Sequence, residues 1–327
     1  MSAIWLLAVL CVGAMGFAIQ RGGTCTVAAV DEVLTSRRAN RLWAMLEASL
    51  WVAGGLALAQ LAHLAGSMPA GYALSAWTVA GGVLLGIGAW VNRACVFGAI
   101  ARLGSGEWAY AATPLGYYVG CLIVTRLSSQ VGAGARADAS PLLQAAGLLG
   151  PAFLLYALWR VWPGLQALSR PGRLASLRQK VWAPHAATIV IGVSFVITLL
   201  LVGRWAYTDV LADLARAMAA QTASLGLPLL LLLALYVGAL VGGHTAGRWR
   251  STPVNVQQVL RCFGGGVLMA WGSLLIPGSN DGLILIGLPL LRPYAWLAFA
   301  SMCAAIAVAL LAQRAWARGR KASAAPS

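Results

Sequence analysis

The sequence predicts an all-α polytopic membrane protein with about nine transmembrane helices, short re-entrant half-helices and an inverted internal repeat. The first observation is composition, because 60% of the 327 residues are apolar and 9% are charged, with a mean hydropathy of +0.80. Soluble globular domains carry about 25% charged residues, so that class of protein is excluded. The second observation is a segment that occurs twice in the chain.

The duplicated segment is GGVLLGIGAWVNRACVFG at residues 81–98, and it returns as GGVLMAWGSLLIPGSNDG at residues 265–282. In this register Cys95 lies opposite Ser279. The positions of the first copy that are identical in the second are Gly81, Gly82, Val83, Leu84, Gly88 and Gly98.

Each copy predicts an apolar helix of about three turns, a break, and a short second apolar piece. The first break is Asn92-Arg93 and the second is Pro277-Gly278. A repeated broken helix in a membrane chain indicates a substrate site.

Nine apolar segments are near the ~20 residues that a bilayer core requires. These predicted spans cover about residues 3–20, 42–65, 75–92, 107–125, 141–162, 185–203, 226–243, 255–276 and 292–313. Four further apolar pieces are too short to cross, which is typical of re-entrant half-helices or interfacial helices. They lie at about residues 25–35, 95–103, 208–220 and 280–290.

Long and short segments follow the same order before and after the fifth span. Equivalent positions in the two copies are five spans apart. Because five is odd, the second copy has the opposite orientation in the membrane. We therefore expect a first membrane repeat at residues 1–126 and a linker at 127–184, which holds the fifth span and a basic cytoplasmic loop. A second, inverted repeat is expected at 185–313 and a basic cytoplasmic tail at 314–327.

The distribution of Lys and Arg predicts the orientation. Most of the 23 basic residues fall on one side of the predicted spans, including those of the loop 163–184 and the tail. We predict that this side is the cytoplasm, so that the N-terminus is outside and the C-terminus inside. The net charge of +15 is then chiefly a topology signal, which argues against a nucleic-acid partner.

The six cysteines and three histidines show no metal-ligand spacing. No cofactor motif accompanies them, so we expect neither a metal nor a cofactor. Four of the cysteines lie within predicted spans and are expected to be small packing residues, namely Cys11, Cys121, Cys262 and Cys303.

Cys25, Cys95 and Ser279 each open a short apolar piece directly after a break. Cys25 and Cys95 do so from the predicted inner side, and Ser279 from the outer side. Helices that begin there direct free backbone N–H groups and a positive dipole end toward the membrane centre, which suits an anion. The alternatives are packing cysteines and a plain serine N-cap.

Four polar residues beside these breaks are candidates for the same pathway. Arg21 and Arg93 would attract an anion, unless they are interfacial side chains that reach toward the headgroups. Asn280 and Asp281 follow Ser279, and Asp281 is the one carboxylate near the outer break. It would pair with an arginine or take a proton, unless it is an ordinary charge at a helix N-terminus.

The chain resembles the YeeE/YedE family of bacterial inner-membrane transporters of thiosulfate and other sulfur compounds. The residues that carry the resemblance are Gly16-Phe17 with Arg21 and Cys25, GGVLLGIG ahead of Cys95, and GGVLMAWG ahead of residues 278–282. It covers nearly the whole chain. It implies nine spans with short embedded helices, and a thiosulfate path lined by cysteines that include Cys25 and Cys95.

The chain departs from the family at two places. The usual Gly-Cys-Asn-Thr-Gly is Gly-Ser-Asn-Asp-Gly at residues 278–282, and the usual Gly-Gly before the second cysteine is Arg93-Ala94. A hydroxyl is a stronger donor to oxygen than a thiol is, and it matches soft sulfur less well. Serine forms no persulfide, which excludes a covalent relay through three thiols. Because of the serine, we expect an altered preference among thiosulfate, sulfite and related oxyanions.

We therefore predict a transporter or conduit, not an enzyme, for thiosulfate or a related sulfur-containing anion, with a path through Cys25, Cys95 and Ser279. The family's association with small TusA-like sulfurtransferases implies such a cytosolic partner. One alternative is a transport-inactive or differently selective homologue that serves as a membrane subunit. The other is a membrane-embedded thiol sulfurtransferase.

Overall fold

The computed structural model describes residues 3–66, 68–127, 135–136, 140–168, 181–220, 226–247, 249–276 and 278–323. Pro277 of the second predicted break and residues 169–180 of the predicted basic loop lie outside these ranges. The described chain is almost entirely helical. One small exception was not predicted: strands β1 (Gly71–Tyr72) and β2 (Ala135–Arg136) pair antiparallel.

A helix lies in every segment predicted to span. The helices of the first half are α1 (Ala3–Gly22), α2 (Thr26–Ser36), α3 (Asn40–Leu61), α4 (Ala76–Asn92), α5 (Val96–Gly104) and α6 (Ala112–Leu127, after a 3₁₀ turn at Trp108–Ala111). The linker holds α7 (Pro141–Gln144) and α8 (Ala146–Leu168). The second half holds α9 (Pro184–Val202), α10 (Tyr207–Ala220), α11 (Gly226–Thr245), α12 (Val256–Leu275), α13 (Asn280–Gly282, extended by a π-helical turn at Leu283–Gly287) and α14 (Pro293–Ser323).

The prediction of an all-α polytopic membrane protein is confirmed. Six helical units of the described chain are long and apolar enough to cross a membrane, and α12 with α13, bent by 49° at their break, would make a seventh. The count of nine stays a prediction, because α6 has only 16 residues and the apolar part of α8 is confined to Ala146–Trp162.

The four short apolar pieces are the short helices α2, α5, α10 and α13, each starting within one residue of its predicted start. Left-handed backbone conformations end the long helices that precede three of them. Gly23 (φ 58°) follows α1, Arg93 (φ 60°) follows α4, and Gly203 (φ 78°) follows α9. A residue in this conformation turns the chain out of the helix and allows a new helix to start in another direction.

The duplicated helices α4 and α12 pack against each other in opposite directions through their shared glycines. A Cβ atom built at Gly81 would lie 2.7 Å from the carbonyl oxygen of Gly272, and one built at Gly265 would lie 2.8 Å from that of Gly88. These distances are too short for any side chain. The backbones therefore touch directly, as small residues permit in membrane helix pairs.

The other contacts between long helices form pairs that match between the two halves of the chain. Helix α1 packs against α11 and α9 packs against α3, while α12 contacts α6 and α4 contacts α14.

The linker helix α8 lies against α3, where the rings of Phe153 and Trp51 meet edge to face at 5.4 Å. The Glu47 carboxylate of α3 accepts hydrogen bonds from Tyr156 and Arg160 of α8 and contacts His185 of α9.

Candidate functional site

The structure brings Cys25 and Cys95 together at the centre of the helical bundle. Both are N-cap residues with extended backbone conformations, Cys25 of α2 and Cys95 of α5. Their side chains interact with each other, both thiols are free, and both are buried. The Thr26 backbone N–H donates to Cys95 Sγ at 3.1 Å. The start of α2 therefore presents a backbone donor to a sulfur atom, the arrangement that an incoming anion would use.

Gly98 allows this approach. A Cβ atom at Gly98 would lie 2.5 Å from Cys25 Sγ and 3.0 Å from Cys25 Cβ. The first turn of α5 therefore needs a residue without a side chain where it faces Cys25. The counterpart in the second copy, Gly282, is free of this demand, because a Cβ atom there meets no other group within 4 Å.

Ser279 and Asn280 complete the cluster from the second half of the chain. Thr26 Oγ1 donates to Asn280 Oδ1 at 3.1 Å, which joins the start of α2 to the start of α13. Ser279 and Asn280 are 1% and 0% exposed. Ser279 Oγ and Asn280 Nδ2 have no hydrogen-bond partner among the described residues, so two buried donor groups are available to a ligand.

A cavity of about 370 Å³ leads to Ser279 from one side of the bundle. Its charged lining consists of Arg204, Arg216 and Asp209, and the hydroxyl groups of Tyr117 and Ser273 line it deeper in the bundle, hydrogen-bonded to each other. Arg216 forms a salt bridge with Asp213, so the lining attracts an anion chiefly through Arg204.

The other side of the cluster is closed. The cavity beside Cys25, lined by Gly22, Gly23, Thr24 and Arg41 among others, has a volume of only about 10 Å³. The cluster therefore separates a wide cavity at Ser279 from a closed region at Cys25.

Asp281 lies at a helix N-terminus and contacts the N-terminus of a second helix. Its carboxylate accepts the backbone N–H of Thr208 at 3.1 Å and the Thr208 hydroxyl. The carboxylate thus stabilises the N-terminus of α10 from outside the helix. It is buried and faces α10 rather than the cavity at Ser279.

The two predicted arginines lie away from the cysteine pair. Arg21 is buried at the end of α1, where it donates to Thr245 Oγ1 at 2.8 Å and places its guanidinium 4.9 Å from the centre of the Phe17 ring. Arg93 is exposed at the end of α4. Neither residue lines the cavity that reaches Ser279.

Sequence reasoning missed Thr26 and the arginines of the cavity. Thr26 follows Cys25 directly, and a hydroxyl at the first position of a half-helix was the available signal. Arg204 and Arg216 lie on the side that the sequence predicts to be poor in basic residues, where a basic side chain is more informative than on the predicted cytoplasmic side.

No group of three or more His, Cys, Asp or Glu side chains in the described part of the chain could hold a metal ion. Cys25 and Cys95 supply two sulfur atoms, whereas structural zinc sites use four protein ligands. Their environment of one backbone donor, two hydroxyls and an amide instead suits a small anion.

Comparison with known proteins adds one finding. The model of a family described as "Sulphur transport" matches residues 21–308, which includes Cys25, Cys95 and Ser279. No curated protein sequence matches the chain significantly. The family match covers nearly the whole chain and implies a small sulfur-containing anion as substrate and a lipid bilayer as surroundings. The chain thus belongs to the YeeE/YedE family of sulphur-transport proteins.

Proposed function

We propose that this protein passes thiosulfate or a related sulfur-containing anion across the bacterial inner membrane, through Ser279, Cys95 and Cys25 in that order. The observation that carries the proposal is the cavity of about 370 Å³ that ends at Ser279, directly beside a buried cluster that contains both thiols. An anion that enters the cavity meets arginines first, then the unpartnered Ser279 and Asn280 donors, and then the cysteines.

The proposed architecture is nine spans in two inverted repeats, residues 1–126 and 185–313, joined by the linker 127–184. The close contact of Gly81 with Gly272 has a counterpart in that of Gly265 with Gly88, which is what a two-fold axis between α4 and α12 would produce. The contact of α1 with α11 likewise has its counterpart in that of α9 with α3, and the contact of α12 with α6 in that of α4 with α14.

In this arrangement the N-terminus is outside and the C-terminus, with the basic tail 314–327, is in the cytoplasm. The Ser279 cavity then opens outward and the closed region at Cys25 faces inward. The direction of proposed flux is therefore inward.

The chemistry of the cluster favours recognition without covalent transfer. Thiols are weak S–H donors that suit a polarizable sulfur atom, and hydroxyl, amide and backbone donors suit oxyanion oxygens. Thiosulfate carries both kinds of atom. Because Ser279 takes the place of the third family cysteine, a chain of persulfides through the path is excluded.

The membrane potential limits how such an anion is taken up. Moving one charge costs about 2.3 kcal/mol per 100 mV, so an inside-negative cell opposes entry of a dianion by roughly 4.6 kcal/mol at 100 mV. Two acidic groups lie near the path: Asp281 is already hydrogen-bonded to Thr208, and Asp209 lines the outer cavity rather than the buried cluster. We therefore propose a passive conduit that is drained by a cytosolic sulfur acceptor of the TusA-like kind.

Uptake of labelled thiosulfate into proteoliposomes tests the proposal. With an inward gradient, uptake is expected to be inhibited more strongly by excess sulfite than by excess sulfate, and a protonophore is expected to leave it unchanged. Equal inhibition by sulfate would contradict selectivity for sulfur anions. Loss of uptake with a protonophore, while the gradient is held, would contradict the passive conduit.

The Ser279→Cys variant separates transport from the alternatives. If the wild type takes up thiosulfate and this variant takes it up faster, the path is functional and the natural serine lowers its rate for thiosulfate. Uptake by the variant alone would favour a transport-inactive membrane subunit. Sulfur transfer by detergent-solubilised protein, with no second compartment, would favour the thiol sulfurtransferase.

A further inference from the structure

The cluster contains a hydrogen bond that connects the two halves of the chain across the path. Thr26, at the start of α2, is fully buried and donates its hydroxyl to Asn280 Oδ1 at 3.1 Å. The same residue donates its backbone N–H to Cys95 Sγ. Thr26 therefore holds three segments together: its own helix, the start of α5 and the start of α13.

This hydrogen bond lies where the open and closed parts of the path meet. Ser279, next to Asn280, lines the wide cavity, and Cys25, next to Thr26, lines the cavity of about 10 Å³. The hydrogen bond therefore joins a residue beside the wide cavity to a residue beside the closed one.

Two side chains next to this bond have buried hydrogen-bond donors for which an anion would supply the acceptor. Asn280 Nδ2 and Ser279 Oγ are buried donors to which the described part of the chain supplies no partner, which is unusual inside a protein. Thiosulfate is fully deprotonated at neutral pH and therefore carries only acceptors. It can therefore accept from Ser279, from the Asn280 amide and from the Thr26 hydroxyl at once.

We propose that Thr26 and Asn280 form a gate, in which the hydroxyl of Thr26 is exchanged from Asn280 Oδ1 to an oxygen of the transported anion. In the resting state the bond between them closes the path to the cysteines. The anion opens it by replacing the acceptor, and the freed α2 N-terminus then receives the anion beside Cys95. This gate rests on the proposed function, because the transported anion is what opens it.

The test measures access to Cys95 rather than transport. An anionic, membrane-impermeant methanethiosulfonate reagent is applied to the Ser279 side of the reconstituted protein, and peptide mass spectrometry follows the modification of Cys95. A net hydrogen bond of about 1 kcal/mol corresponds to roughly a fivefold change in the open population. Thr26→Val, which keeps the shape but loses the hydroxyl, is expected to react about fivefold faster than the wild type.

Two further variants control for folding and for the partner. Thr26→Ser keeps a hydroxyl and is expected to react at the wild-type rate. Asn280→Leu removes the bond from the other side and is expected to react faster as well. The double variant that combines Thr26→Val with Asn280→Leu should react no faster than the faster single variant, because both substitutions remove the same interaction. Thermal unfolding in detergent identifies any variant that is misfolded.

The outcomes separate the gate from the transport function. If the wild type takes up thiosulfate and Thr26→Val reacts at the wild-type rate, the gate is wrong and the proposed function stands. If Thr26→Val and Asn280→Leu react faster but the wild type takes up no sulfur anion, the closure is real and the proposed cargo is wrong. Additive effects of the two substitutions would also overturn the gate, because independent effects mean that no shared bond is broken.

Discussion

Replacing Gly98 by alanine tests the contact between the two cysteine helices with a single methyl group. The new Cβ atom would lie 2.5 Å from Cys25 Sγ, 3.0 Å from Cys25 Cβ and 3.2 Å from Ala94 Cβ. Favourable contacts between heavy atoms lie near 3.5–4.0 Å, so the methyl group overlaps the sulfur atom by about 1 Å. Sγ can rotate away, but that movement breaks its contact with Cys95.

The expected cost follows from this overlap. Forcing an extra methyl group into a packed interior costs about 1–3 kcal/mol. If that cost falls on the arrangement of Cys25 against Cys95, the population of the competent site falls roughly 5- to 140-fold. Labelled thiosulfate uptake by proteoliposomes is expected to fall by a factor in this range, at equal protein content and with little change in unfolding temperature.

The matched control is the equivalent glycine of the second copy. A Cβ atom at Gly282 meets no other group within 4 Å, and the Gly282 backbone has ordinary helical angles. Gly282 also lines the cavity of about 370 Å³, where one methyl group leaves most of the space open, so Gly282→Ala is expected to retain wild-type uptake. Equal uptake by Gly98→Ala and the wild type, or an equal loss in both variants, would refute the reasoning from the Gly98 contact.

Three further predictions follow from other contacts. Arg93→Gly should raise the free energy of unfolding by about 0.5–1 kcal/mol. Arg93 is exposed and its backbone is left-handed (φ 60°), a conformation that glycine adopts without strain. An unchanged unfolding temperature would contradict this prediction. Gly265→Ala should lower the unfolding temperature, because its Cβ would lie 2.8 Å from backbone atoms of α4, whereas Gly264→Ala, with open space, should not. Mild oxidation should join Cys25 to Cys95 and stop uptake until a reductant is added; no crosslink in peptide mass spectra would contradict their contact.

The local features of the fold were predictable because they depend on neighbouring residues. The breaks after α1 and α4 follow from Gly22-Gly23 and from the end of an apolar run. The glycines shared by the two copies were visible in the sequence, but the direct contact that they allow between α4 and α12 was not predicted.

The contacts between distant residues were not predictable in the same way. The sequence places Cys25 and Cys95 at helix starts, but only the packing of the long helices determines that these starts meet. Thr26 and Asn280 lie in opposite halves of the chain and share no sequence signal. Arg93 was interpreted as an attractor for anions, and its left-handed position at the end of α4 is one that glycine more often signals.

The exact boundaries of the helices show a further limit of the sequence. Hydropathy predicts a span wherever an apolar segment is long enough, yet α6 begins only after a 3₁₀ turn and α7 is separated from α8 by a turn at Ala145. These interruptions depend on where the backbone finds hydrogen-bond partners, which an average over a window does not reveal.

The central claim is that a sulfur anion passes through the buried cysteine pair. The most direct test compares labelled thiosulfate uptake into proteoliposomes by the wild type, Cys95→Ala and Cys303→Ala. Cys303 lies on α14, outside the cluster, and is the matched control for the loss of one thiol. We predict uptake by the wild type and Cys303→Ala and none by Cys95→Ala, whereas undiminished uptake by Cys95→Ala would contradict a path through the cysteine pair.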